Sequence, residues 1–247
     1  MAAKPSPVVR DASSLIKARH RAGRRRRAVR IVIAVLVLAL AAGAVWAVWF
    51  SPWFVTRSVQ VTGTTVTTPE EIAAAAGVKP GTPLIRLDVA AIRDAVGQVP
   101  AVASAEVRWN LDGVVLIAVT ERVAVYVIPE SGQYRLVDVT GTGYLTLPEA
   151  PKGLPVVRLA DDGSDVSKRL MADAGVIAAA LPQSVRDKMV SMTAGTPDTF
   201  TIDLKGGAQI LWGSAEQSAL KAQVIDGLLK VSAHYYDISS PSHPATR

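Results

Sequence analysis

Ile31 to Phe50 is twenty residues without a single charge, interrupted only by Gly43. A helix of that length is about 30 Å long, which matches the hydrocarbon core of a bilayer. Everything else in the chain must be arranged around that segment. Residues 1–30 carry ten Lys or Arg and one acid, Asp11, whereas residues 31–247 carry seventeen bases and twenty acids. The sequence pI of about 9.7 therefore belongs to a short N-terminal arm, "RHRAGRRRRAVR" included, and not to the chain as a whole. Excess Lys and Arg beside a span marks its cytoplasmic side, and Trp favours the membrane–water interface. The arm is thus expected inside the cell, disordered and close to the acidic inner leaflet. Trp46, Trp49 and Trp53 form the outer aromatic belt, and residues 54–247 lie outside. Two alternatives bear on this segment. Ala42-Gly43-Ala44 resembles a signal-peptide cleavage site, but the apolar run and the basic region before it are both too long for one. The arginine run suits nucleic acid, but its position flush against a span is the topogenic one, so no nucleic-acid partner is assigned.

The chain contains no cysteine, which removes disulfides, thiol nucleophiles and cysteine lipidation. After the span, "VTRSVQVTG" alternates Val55, Val59 and Val61 on one face, with Arg57 breaking the series and Gly63 ending the strand. "TTPEEIAAAAGV" carries a helix start, with Thr68 as N-cap, Pro69 at the first position and Glu71 closing a capping box, and Gly77 as the stop. "KPGTPLIRL" is a turn with apolar anchors. Asp88 caps a second helix with Val89, Ile92 and Val96 at helical spacing. "SAEVRWNLDGVVLIAVTER" predicts a hairpin in which Val107 and Trp109, then Val115, Ile117 and Val119, face the core across an Asp112-Gly113 turn. The order is β-α-α-β-β.

Strands are expected next at 123–128, 133–138 and 143–147, and a short one at 155–159. A helix is expected over 166–180, strands near 187–193, 199–204 and 208–212, and a helix from Ala215 to about Ser232 started by a Ser214/Gln217 capping box. A last strand begins near His234. The layout is α+β: an N-terminal transmembrane helix, the β-α-α-β-β unit, then a mixed β-sheet domain with flanking helices.

No catalytic constellation emerges. His20 lies on the arm, and His234 and His243 lack partners at metal-ligand spacing. Walker, G-x-S-x-G and H-E-x-x-H motifs are missing. "DDGSD" at 161–165 has carboxylates for weak Ca²⁺ ligation but lacks the downstream Glu of an EF-hand loop. The chain is therefore expected to be no enzyme, with no metal and no cofactor. A small-residue face, Ala39, Gly43 and Ala47, suits helix packing within the membrane.

The motifs "V-x-V-x-G", "PEEI", "GTPLIRLD", "VPAVASAEV" and "VTERVAV" behind a membrane anchor are similar to a POTRA domain of the FtsQ/DivIB family of bacterial division proteins, here over residues 54–122. "LVDVTGTGY", "GLPVV", "ILWGSAEQSALKAQVIDGLL" and "YYDISSPSHPATR" extend the resemblance through 123–247. It implies a single-pass type II cell-membrane protein at the division septum, a scaffold without catalysis that controls septal wall assembly. The implied partners are small bitopic proteins, FtsB and FtsL, besides other division proteins reached through the POTRA domain. POTRA domains also serve protein transport and secretion, usually in tandem, and a wall hydrolase with an unrecognised site is a third reading.

The resemblance also implies that the terminal strand, Tyr236, Asp237, Ile238, Ser239, Ser240, Pro241 and Ser242, receives the FtsB segment as an added strand. Pro241 and Pro244 suit an edge strand, and Lys221 with Gln223 to Leu229 are expected to be structural. Truncation after Tyr236 is expected to remove docking and leave the fold. The outer strands of the POTRA unit, Val59 to Thr62 or 104–109, are further candidates for strand addition.

Overall fold

The computed structural model describes residues 29–47, 54–159 and 163–247. Helix α1 runs from Val29 to Ala47. Its apolar side chains are exposed on every face, as a membrane-spanning helix requires and a soluble core helix does not. Trp46 sits in its last turn. The expected continuation through Phe50, the belt positions Trp49 and Trp53, the arm with His20, and Asp161 and Asp162 lie outside the described residues.

The described chain divides into two compact units. One holds α1, residues 54–58, 79–87 and 109–114. Apart from α1, its three segments are joined through the backbone: Leu84 N–H donates to Phe54 O (3.0 Å), Thr56 N–H to Thr82 O (2.8 Å) and Arg57 N–H to Gly113 O (2.7 Å). A single 3₁₀ turn, Leu84–Arg86, occupies the stretch expected to be a turn.

All but the terminal residues Ser58, Trp109 and Val114 of β1 (Ser58–Thr62), α2 (Pro69–Ala76), α3 (Val89–Gly97), β2 (Val102–Trp109) and β3 (Val114–Glu121) belong to the second unit. The strands form a sheet in the order β1-β3-β2. Both helices start as the sequence dictates: Thr68 Oγ1 accepts from Glu71 N–H (3.2 Å), and an Asp88 carboxylate oxygen accepts from Ala91 N–H (3.0 Å). Gly77 ends α2 in the left-handed region, φ 62°. Ile72, Ala76, Ile92 and Val96 on the helices and Val115, Ile117 and Val119 on β3 are buried. The expected inward Trp109 is instead 39% exposed, so β2 loses its alternation at its last residue.

The remaining strands are β4 (Ala124–Glu130), β5 (Gln133–Asp138), β6 (Gly143–Leu147), β7 (Val157–Arg158), β8 (Met189–Thr193), β9 (Phe200–Leu204), β10 (Gln209–Gly213), β11 (Tyr235–Asp237) and β12 (Ala245–Thr246). They form a meander, β4-β5-β6, and a six-stranded sheet, β12-β11-β10-β9-β8-β7. A parallel bridge, Val127 to Val156, links the two beside β7. The sheet is mixed, since β7 with β8 and β10 with β11 run parallel. Helices α4 (Asp165–Ala180), α5 (Gln183–Arg186) and α6 (Ser218–Leu228) complete it. The core is built on Tyr126, Phe200, Trp212, Ile177, Ile202, Ile225 and Ile238.

Three expectations are corrected. Helix α6 starts at Ser218 and stops at Leu228, and Ser214 with Gln217 makes no capping box: Gln217 stands at φ 54° without a side-chain cap. The motif's serine that matters is Ser218, whose Oγ accepts from Trp212 Nε1–H (3.1 Å) and donates to Ala215 O (2.7 Å). The 155–159 strand shrinks to Val157–Arg158. Helix α5 and strand β12 were not legible, being four and two residues long.

Gly63 closes β1 at φ 86°, and a Cβ there would collide with the Val119 carbonyl. Both the backbone region and the close approach require glycine. Gly63→Ala is expected to destabilise the protein by about 2–4 kcal/mol in denaturant titration.

Candidate partner-binding surfaces

Two neighbouring side chains at the end of β3 act as anchors: Glu121 within the first sheet's own unit, Arg122 toward the second sheet. The Glu121 carboxylate accepts from the N–H groups of Thr65 (2.8 Å), Val66 (2.9 Å) and Thr67 (2.8 Å) and from Thr67 Oγ1 (2.6 Å). It therefore holds the loop between β1 and α2. Partial burial pushes its pKa up. The Thr67 hydroxyl and the three backbone donors outweigh that and bring it down from 4.5 to about 2. Arg122 points the other way. Its Nη1 donates to an Asp138 carboxylate oxygen at 2.6 Å and its Nε to Pro100 O at 3.1 Å. The side chains of Arg122 and Asp138 are only 19% and 7% exposed. Burial raises the Asp138 pKa, but donors on Thr140, Arg122 and Thr142 lower it overall. These roles were missed in sequence, where "VTERVAV" was a motif and not a pair of anchors. The signal was a charge pair standing at the exact end of an alternating strand.

The expected docking strand is resolved into unlike parts. Tyr236 and Ile238 are buried, 4% and 0% exposed, and belong to the core. Tyr236 Oη donates to Val231 O (2.8 Å) and accepts from Ala233 N–H (3.1 Å). Ile238 N–H donates to Leu211 O (3.0 Å), continuing the parallel pairing with β10. Asp237 turns the chain: its carboxylate accepts from Ser239 N–H (3.0 Å) and Ser239 Oγ (2.7 Å). Ser239, Ser240 and Ser242 are exposed and Pro241 is half-buried. His243 N–H donates to Ser240 O (3.0 Å), folding the tail back. Strand β12 then pairs with β11, Tyr236 opposite Thr246 and Asp237 opposite Ala245. Tyr235 N–H and Arg247 N–H exchange bonds with each other's carbonyls at 3.0 Å.

The edge expected at 236–242 is thus covered, and the outermost strand is β12, with both residues exposed. Truncation after Tyr236 would remove Ile238 from the core, so it cannot leave the fold intact. Truncation after Ser242 removes only the tail that covers β11. Lys221 is structural as expected: it is 1% exposed, its Nζ donates to Ser214 O (2.8 Å), and burial lowers its pKa.

Strands β1 and β2, which hold the two further candidates for strand addition, both stand at edges of their sheet. Ala39, Gly43 and Ala47 recur on α1, and nothing lies within 4 Å of a Cβ built on Gly43. His234 and His243 are exposed, and among the described residues no three His, Asp or Glu side chains converge on a metal position.

Residues 54–122 match the family described as the POTRA domain of FtsQ type. Over nearly the whole chain the sequence is similar to proteins named "Cell division protein FtsQ". That of Streptomyces venezuelae is 34% identical, with 92% of this chain and 89% of the relative aligned. That of Streptomyces bingchenggensis is 31% identical, over 93% and 89%. The Mycolicibacterium smegmatis protein is 32% identical, over 86% and 62%.

Glu121 has a folded pKa below its ordinary value, so its contribution to stability is complete above pH about 4.5 and is lost as pH falls toward 2. Glu121→Gln is expected to cost about 1–3 kcal/mol near neutral pH. It should also remove that part of the acid dependence, as read from denaturant unfolding at several pH values.

Proposed function

The chain belongs to the FtsQ family of cell division proteins, and from that premise we propose that it is a non-enzymatic scaffold of the divisome which accepts a partner strand along β11. The scaffold is anchored by α1 with its N-terminus in the cytoplasm and the remainder outside, at the division septum. There it links cytoplasmic and extracytoplasmic division proteins and controls septal wall assembly. The arm covers 1–30, the span 31–50, the POTRA domain 54–122 and the β domain 123–247.

The observation that carries the reading is the construction of the sheet's last edge. Strand β11 is rigidly set on its inner side by β10 and by two buried side chains, whereas its outer side is covered by a strand of two residues. Two residues of pairing are a weak hold, because an isolated short strand gains few hydrogen bonds against the entropy of ordering it. An extended segment of an FtsB- or FtsL-type bitopic protein that pairs with β11 over a longer stretch replaces β12 at a net gain. Tyr236 and Ile238 then hold the docking strand in place, and Asp237, Ser239, Ser240, Pro241 and Ser242 form the surface that the incoming strand meets. The basic arm is the expected cytoplasmic end, and Ala39, Gly43 and Ala47 are the proposed face of α1 toward a partner's span.

The test is a titration of the full chain in nanodiscs with the outer segment of its FtsB-type partner. Truncation after Ser242 should tighten binding, at least about threefold, because no tail has to be displaced. Asp237→Pro, which deletes the N–H that alternates toward β12, should weaken it at least about tenfold while the melting temperature stays within a few degrees. Unchanged affinity in both variants would exclude β11 as the docking strand.

A further inference from the structure

Phe54, Leu84, Ile85, Trp109 and Leu111 line an apolar hollow, all within the unit that contains α1. Three segments supply it, the chain at Phe54, the Leu84–Arg86 turn and the end of β2 with the hairpin loop after it, and backbone bonds join them. Leu84 is buried, whereas Ile85, Trp109 and Leu111 are 50%, 39% and 68% exposed. Large aliphatic and indole surfaces collected on loop tips are poor water-facing surfaces, and such a patch marks a contact surface. Ile85, Trp109 and Leu111 stand outside the packed interior, whereas Leu84 belongs to it.

Three features on the same segments select the occupant. The first is the tether. Phe54, itself part of the hollow, is seven residues beyond Ala47, the end of α1. Seven residues reach at most about 25 Å when fully extended, so the hollow cannot leave the neighbourhood of the bilayer that α1 spans. Tethering of this kind makes even a marginal surface affinity effective, because the second contact is intramolecular. The second is charge. Arg57, Lys79 and Arg86 stand exposed on these segments against one acid, Asp112, in a chain that beyond α1 holds more acids than bases. The third is chemistry. Indole prefers the interfacial layer, where its ring is half wet, and aliphatic tips beside it insert shallowly.

We propose that this corner is a lipid-facing surface: Ile85, Trp109 and Leu111 enter the interfacial layer of the outer leaflet, and Arg57, Lys79 and Arg86 meet anionic headgroups. The contact holds the start of β1 at the membrane surface. It is independent of strand docking at β11 and rests only on α1 being a membrane anchor, which retention of the protein in vesicles after an alkaline wash checks separately.

The chain has no cysteine, so Leu111→Cys gives a single site for a nitroxide on the full protein, reconstituted in vesicles of phosphatidylcholine with or without phosphatidylglycerol. Collision with dissolved oxygen should exceed collision with a water-soluble nickel chelate. In an Ile85→Ser/Trp109→Ser background, nickel access should rise at least about threefold. Both replaced side chains are exposed, and an unchanged circular dichroism spectrum confirms that the fold survives. Shielding should be stronger with phosphatidylglycerol, and equal shielding in both lipids would overturn the headgroup role. A label as open to nickel in the parent as in the serine background would overturn the proposal. So would shielding that develops only when a partner division protein is added, since the hollow would then be a protein site.

Discussion

The architecture depends on two adjacent residues at the end of β3. Glu121 gathers three successive backbone N–H groups of the loop before α2, and Arg122 reaches a carboxylate on β5 and a carbonyl before β2. One dipeptide thus fastens the loop before α2 on one hand and the second sheet on the other. Neither anchor is replaceable by shape alone. A buried ion pair is weak evidence for net stability, but removing one partner leaves an uncompensated charge, at about 3–5 kcal/mol. The interaction therefore acts as a device of registry. It fixes where the β1-β3-β2 sheet ends and where the β4-β5-β6 meander begins.

From that join the β structure runs through β4, the Val127–Val156 bridge and the six-stranded sheet to β12. An open sheet has two ends, and each end exposes unpaired backbone groups that invite association. At the β11 end, the cover is as small as a strand can be. Strands β8, β9 and β10 lie in the interior of the sheet, and the buried side chains Trp212, Tyr236 and Ile238 belong to the core beneath its β11 end.

Much of this was legible in the sequence because the signals were local. Thr68, Asp88 and Gly77 announce their helix ends by chemistry that acts within four residues. The alternation in β3 and the apolar run of α1 are likewise visible without any tertiary knowledge. What failed was non-local. Ser214 and Gln217 have the spacing of a capping box, but Trp212 Nε1–H claims Ser218 and the chain enters α6 through a left-handed Gln217. Tyr236 and Ile238 were placed in a docking strand, yet whether they are core or surface depended on β10, α6 and a tail that folds back through Ser240 and His243. Trp109 continued an alternation that ends where the hairpin leaves the sheet. Glu121 and Arg122 were invisible as anchors because their partners lie 16 to 56 residues away in sequence.

The central claim is that β11 is the strand a partner pairs with and that β12 holds its place. Amide hydrogen exchange on the full chain in nanodiscs, with and without the outer segment of the FtsB-type partner, tests it most directly. If the partner replaces β12, Ala245, Thr246 and Arg247 lose protection on binding while Tyr235 and Asp237 keep or gain it. Binding that leaves Ala245 to Arg247 as protected as before, with new protection at β1 or β2 instead, would contradict the account.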